Sequence, residues 1–252
     1  MKDGSAMVGA TLRAGLSDVT GAVKDCWVAL ALAAALGVAS NLLPPGLRLP
    51  AAVLAGVIAQ GALFRRAFGR QGGLKGLRWG RDEWRLLGAQ LMILALFLLI
   101  GAILMIIVGG VSLGIARTAS PDFDASTTAG WKAAYASAGP AGFVVALVPL
   151  AAFAILLWLG LRLSLSAPAT VDQAGVRVLS AFPLTKGYVP VLLAVGVVIV
   201  LPVVLVSTAM RFAPQGFVVA AILAVCAYFY AMPAWAGALA HVYRRRAALQ
   251  DA

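Results

Sequence analysis

The side chains in this sequence best suited to chemistry are cations. Seven of the twenty Lys and Arg residues fall within Leu63–Leu86, LFRRAFGRQGGLKGLRWGRDEWRL: Arg65, Arg66, Arg70, Lys75, Arg78, Arg81 and Arg85. Arg162, Lys186, Arg244 and Arg245, with Arg246, add a second basic set at the edges of later apolar runs. Guanidinium and ammonium groups at this density hold phosphate. The sequence has no basic strand interleaved with aromatics and no recognition-helix pattern, so nucleic acid is excluded as the partner. Anionic lipid headgroups remain, each nearby cation contributing ~1 kcal/mol at a membrane surface.

No reaction centre accompanies the cations. All nine acids, Asp3, Asp18, Asp25, Asp82, Glu83, Asp122, Asp124, Asp172 and Asp251, lie outside the long apolar runs. Proton relays and ion paths keep a charge inside the membrane at ~2.5–3.5 kcal/mol each, so this distribution argues against them. His241 is the single histidine and has no carboxylate near it in sequence to orient it as a base. Cys26 and Cys226 are expected at different depths and unpaired, and with one His they cannot build a metal cluster. No nucleophile elbow, phosphate loop or dinucleotide fingerprint occurs. The expectation is no catalytic residue, no metal and no cofactor.

Four residues inside the apolar runs could shape a cavity. Gln60 is the deepest amide, and a bond to another helix, worth ~0.6 kcal/mol, is the simpler expectation for it. Pro149, Pro202 and Pro233 each interrupt a run and free backbone carbonyls that a neighbour or water must satisfy. They serve either helix shape alone or a cavity.

The elements that position these groups follow from hydrophobicity. The chain has 252 residues, 62% of them hydrophobic and 12% charged. Crossing a ~30 Å hydrocarbon layer takes ~20 apolar residues in a helix. The fold expected is an all-α integral membrane protein with six transmembrane helices, at about 26–43, 49–64, 86–111, 140–161, 189–210 and 216–240. Residues 1–25, with Val8, Leu12, Leu16, Val19 and Val23 at three- and four-residue spacing, read as an amphipathic interfacial helix. The leading residues mix acids with bases and are expected to be retained rather than cleaved as a signal peptide. Ser112–Gly139 reads as an external polar loop with a short helix near Trp131–Ala138. Thr170-Val-Asp-Gln173 reads as a capping box opening a second interfacial helix, with Val171, Ala174, Val178 and Phe182 on one face before Pro183. Arg211–Gln215 reads as a short external turn and 241–252 as a basic tail. With both termini on one side, sixteen of the twenty cations fall on that side and four on the other. The positive-inside rule then predicts N-in/C-in threading through a bacterial inner membrane.

Arg162-Leu-Ser-Leu-Ser-Ala-Pro168-Ala, followed by Ala181-Phe-Pro-Leu-Thr185-Lys186-Gly187-Tyr, resembles a feature of bacterial polytopic proteins of the glycerophosphodiester phosphodiesterase membrane-domain or YciC-like family. Leu77-Arg-Trp-Gly80-Arg-Asp-Glu83-Trp is similar to that family's earlier loop, and the likeness covers about residues 60–245. Phe182 stands where the family commonly has tryptophan, and Pro183 where it has a polar residue. The resemblance implies a six-helix membrane module without the soluble hydrolase domain of multidomain relatives.

The function expected is therefore a non-enzymatic accessory or structural subunit of the inner membrane. It would contact anionic headgroups or a partner through Arg65, Arg66, Arg70, Lys75, Arg78, Arg162, Lys186, Arg244 and Arg245. The partners expected are anionic lipids and other membrane subunits or a homo-oligomer. The alternative is a transporter or channel for a small or lipidic solute, with a cavity among spans 4–6. A lipid-modifying enzyme using Arg162, Lys186 and Arg244–Arg246 ranks last, because nothing near them supplies a nucleophile or base.

Overall fold

Asn41 to Pro45 shows how the sequence sets the first hairpin. Helix α2 (Val19–Ser40) ends where Asn41 folds its amide back on the Gly37 carbonyl, and α3 (Pro45–Ala67) starts with proline at its first position. Proline has no amide to leave unsatisfied there and its φ is already helical. The two helices pack through Ala29, Ala33, Ala55, Ala59 and Ala62, each at most 2% exposed, which lets their backbones come close.

The computed structural model describes residues 2–70, 72–212 and 216–250. Ala213, Pro214 and Gln215 of the expected external turn, and Asp251 and Ala252 of the tail, lie outside them. The remaining elements are α1 (Lys2–Ser17), α4 (Arg81–Ala119), α5 (Thr128–Ser137), α6 (Pro140–Leu163), α7 (Ser166–Asp172), α8 (Ala181–Leu184), α9 (Val189–Met210), α10 (Phe217–Val225), a π-helical turn (Cys226–Ala231) and α11 (Met232–Gln250). No strand occurs among the described residues. Six helical stretches are long and apolar enough to cross a membrane: Val19–Ser40, Pro45–Ala67, Arg81–Ala119, Pro140–Asp172, Val189–Met210 and Phe217–Ala248. This is a multi-pass, all-α membrane protein.

The chain forms two units, with boundaries inside α4 and α6: residues up to Met92 and from Leu161 onward make one, Ile93–Gly160 the other. In the first, α2, α3, α9 and α11 share a core with α7, α8 and the start of α4. In the second, Leu98, Leu99, Met105 and Ile106 on α4 are 61–75% exposed, a surface of the kind hydrocarbon covers. There Trp131 stacks edge-on with Phe123 at 4.7 Å and donates to the Ala125 carbonyl, and Thr127 caps α5 by accepting from the Gly130 amide. The hydroxyl and amide of Ser126 both donate to Asp124, which holds that carboxyl below its ordinary value.

Four expectations need correction. The amphipathic helix does not run through residue 25. It breaks at Asp18, and residues 19–25 open α2, which kinks at Cys26 (φ −120°, ψ 15°). Met7, Val8 and Leu12 of α1 pack on Val191, Val195 and Ile199 of α9 and on Ala234 and Ala238 of α11, so protein covers that part of the stripe while Leu16 stays exposed. Ser112–Ala119 is helix rather than loop. Thr118 donates to the carbonyls of Gly114 and Ile115, its hydroxyl satisfied within the helix, and the stop comes before Pro121. At 39 residues α4 is about 58 Å long, beyond the ~30 Å of a hydrocarbon core.

Thr170 opens no helix either. It lies fully buried inside α7, its oxygen accepting from the Arg177 amide, and the chain turns left-handed at Ala174 (φ +50°). Val171, Ala174, Val178 and Phe182 therefore do not share a helical face. The basic tail continues α11 through Gln250. Pro233 also has a visible consequence: it cannot donate to the carbonyl four residues back, and the turn before it widens into the π-helix Cys226–Ala231.

Gln60 forms the helix-to-helix bond expected of it, its Oε1 accepting from Gln90 Nε2 at 2.9 Å. Replacing both with leucine is expected to cost only about 0.6 kcal/mol. A loss above about 2 kcal/mol in detergent unfolding would show that the pair does more than join two helices.

Candidate functional site

The basic segments converge on one end of the first unit, where α3 finishes and α4 starts. Arg65, in the last turn of α3, is 3% exposed and pairs with Glu83, itself 1% exposed. Arg65 also donates to the Gly76 carbonyl at 2.8 Å, while Glu83 accepts from the Gly80 amide at 2.8 Å. The pair thereby straps the loop between α3 and α4 onto the helix it leaves. Within that loop Leu74 and Leu77 exchange backbone bonds around Lys75 (φ +46°) and Gly76 (φ +80°). Two left-handed residues in succession make the tight turn whose twist suits a hairpin. Lys75 sits exposed at its tip, beside Leu74 at 69% exposure.

Arg66 points the other way. Its Nη1 reaches Asp18 at 2.6 Å and its Nε reaches Asp25 at 2.8 Å, joining the α1–α2 junction to the end of α3. The partly exposed acids limit each contact to ~1 kcal/mol or less. Arg70 donates to the Val171 and Asp172 carbonyls, covering the negative end of α7, and Arg244 does the same for α3 at Ala67. Arg246 donates to the Leu184 and Lys186 carbonyls and lies 4.7 Å over the Tyr188 ring.

Arg162 donates to the Phe182 carbonyl at 3.0 Å, and the Thr185 hydroxyl donates to the Arg162 carbonyl at 3.2 Å. The two sequence fragments that carry the resemblance thus touch in the fold. No family model, curated protein or solved structure matches the chain.

Of the expected headgroup contacts, Arg65 is enclosed by protein, while Lys75, Arg78, Lys186, Arg244 and Arg245 are exposed. Trp79 and Trp84, at 42% and 62% exposure, stack edge-on at 5.4 Å beside Arg78 and Arg81. The four expected cavity residues line neither of two clefts at this end, among the described residues. One cleft, of about 160 Å³, lies under the glycine-rich loop between Asp25, Cys26, Arg65 and Lys75. The larger, of about 700 Å³, has Asp18, Arg66, His241, Arg244 and Arg245 on its walls.

Sequence reasoning missed the acids that answer these bases, Asp18, Asp25 and Glu83. It also missed Tyr243, which is buried against Phe68 and donates its hydroxyl to Asp172 at 2.9 Å. The acids lying within the basic segments were the available signal. Glu83 and Arg65 share one basic stretch whose seven cations offered no way to choose among them, while Asp25 and Asp18 lie 41 and 48 residues from Arg66.

Proposed function

We propose that this protein is a non-enzymatic accessory or structural subunit of a bacterial inner membrane that holds anionic lipid at its basic end. The observation that carries this reading is the exposed group of Lys75, Arg78, Leu74, Trp79 and Trp84 around one tight turn. Exposed cations next in sequence to an amphipathic aromatic pair match the headgroup layer, where indole rings settle and phosphates carry the charge. The accompanying orientation places both termini in the cytoplasm, because sixteen of the twenty cations then face the anionic leaflet. The resemblance through Arg162–Ala169 and Ala181–Tyr188 fits a membrane module of this type.

The test is lipid carried through purification in mild detergent. Anionic lipid is expected above its bulk proportion. Lys75→Gln with Arg78→Gln should weaken the retention by up to about thirtyfold, at ~1 kcal/mol per charge removed. Retention in bulk proportion would remove the reading, and a reporter fused after Arg246 that reads periplasmic would reverse the orientation.

A further inference from the structure

The larger cleft has a graded lining. On α11, Gly237, Ala240, His241 and Arg244 stand at three- and four-residue spacing and so share one stripe, with Arg245 beside its outer end. Ala14 on α1 and Ala67 on α3 extend the small apolar part. Arg66, Arg244 and Arg245 supply positive charge around it, and Asp18 is the acid on its wall. At about 700 Å³ the space suits a ligand of headgroup size rather than a bare ion. The carbonyl end of α3 would repel an anion here, but Arg244 already covers the Ala67 oxygen at 3.2 Å.

We infer that this cleft between α1, α3 and α11 binds one phosphate-bearing amphiphile or phosphorylated small molecule. Its phosphate lies against Arg66, Arg244 and Arg245, and its apolar part against Gly237 and Ala240. Guanidinium forks favour phosphate through paired, charge-assisted bonds. Asp18 and Asp25 already hold the Nη1 and Nε of Arg66 at 2.6 and 2.8 Å, so an incoming phosphate competes with both acids for that guanidinium. This deepens the proposed lipid reading by replacing a diffuse headgroup layer with a single saturable site.

The experiment uses the full chain in phosphatidylcholine nanodiscs. One arm titrates short-chain phosphatidic acid and reads bound lipid by native mass spectrometry. The other titrates inorganic pyrophosphate and reads heat. Arg244→Gln with Arg245→Gln is compared with Arg81→Gln with Arg177→Gln, an equal charge change at exposed residues outside the cleft. The expected result is one molecule bound per chain, weakened about tenfold or more by the cleft pair and less than about threefold by the other pair. Asp18→Asn should tighten binding several-fold while Asp82→Asn leaves it unchanged.

Arg245→Gln alone keeps the Arg244 bond to Ala67 and should still weaken binding, which separates ligand contact from loss of that cap. Saturation by phosphatidic acid only assigns a membrane lipid, and saturation by pyrophosphate as well assigns a soluble phosphate compound. Equal loss in both double variants, or no saturable binding in either arm, overturns the site. Bulk anionic enrichment that survives such a failure would leave the broader lipid reading standing, and its loss with the site intact would do the reverse.

Discussion

Replacing Glu83 with alanine is expected to destabilise the protein by about 3–5 kcal/mol, the largest effect of any single change at the basic end. The reason is the partner left behind. Arg65 and Glu83 are 3% and 1% exposed, and a guanidinium so enclosed cannot recover the water it gave up. Glu83 also accepts the Gly80 amide and places a negative charge in the first turn of α4, so its loss uncaps that helix as well. Gly61 belongs to the same arrangement: a Cβ there would stand 2.7 Å from Glu83 Oε1.

Arg65→Met combined with Glu83→Leu should recover most of the stability, because an apolar pair of similar volume leaves no buried charge unpaired. Denaturant unfolding in detergent, with protease sensitivity of residues 68–80 as the local readout, checks both variants. A single variant within about 1 kcal/mol of the parent would show that water reaches the pair.

The second large effect is expected at Gly15. A Cβ built there would lie 2.5 Å from the backbone oxygen of Ala234 and 3.2 Å from the Ala238 side chain, and neither helix backbone can swing aside as a flexible side chain would. Gly237 meets Gly15 from the opposite side, a Cβ on it standing 3.2 Å from the Gly15 Cα. Gly15→Val should therefore cost about 1–3 kcal/mol or lift α1 off α9 and α11.

Amide exchange distinguishes the effect from general unfolding. Residues of α1 should lose protection while those of α2 and α3 keep it. Gly9, exposed and with open space where a Cβ would go, supplies the control. Gly9→Ala should stabilise α1 by up to about 1 kcal/mol through helix propensity. Unchanged exchange in Gly15→Val would mean that α1 is not held by this crossing.

The same two sites mark how far the sequence could be read. Gly15 is one of four glycines in residues 1–25, and nothing local says which one a neighbouring helix crosses. Thr170 and Gln173 had the spacing of a capping box, but the chain turns left-handed at Ala174, and the hydroxyl is buried against Arg177 instead. Arg65 and Arg66 are adjacent in a cationic run and looked equivalent. One faces into the protein toward Glu83 and the other outward to Asp18 and Asp25, because successive residues on a helix point about 100° apart.

By itself the amino-acid order determined that six long apolar helices exist and roughly where each begins, since a backbone in hydrocarbon must satisfy its own amides over a fixed length. Val189–Met210 agrees residue for residue with its apolar run, while α3 starts at Pro45, four residues before the expected span. Only the tertiary structure decided which cation is enclosed, which is shared between acids and which lines a cleft. Arg66 finds its two acids 41 and 48 residues away, and Arg70 finds its carbonyls 101 and 102 residues away. Those meetings depend on how distant helices pack, and no local period in the sequence encodes them.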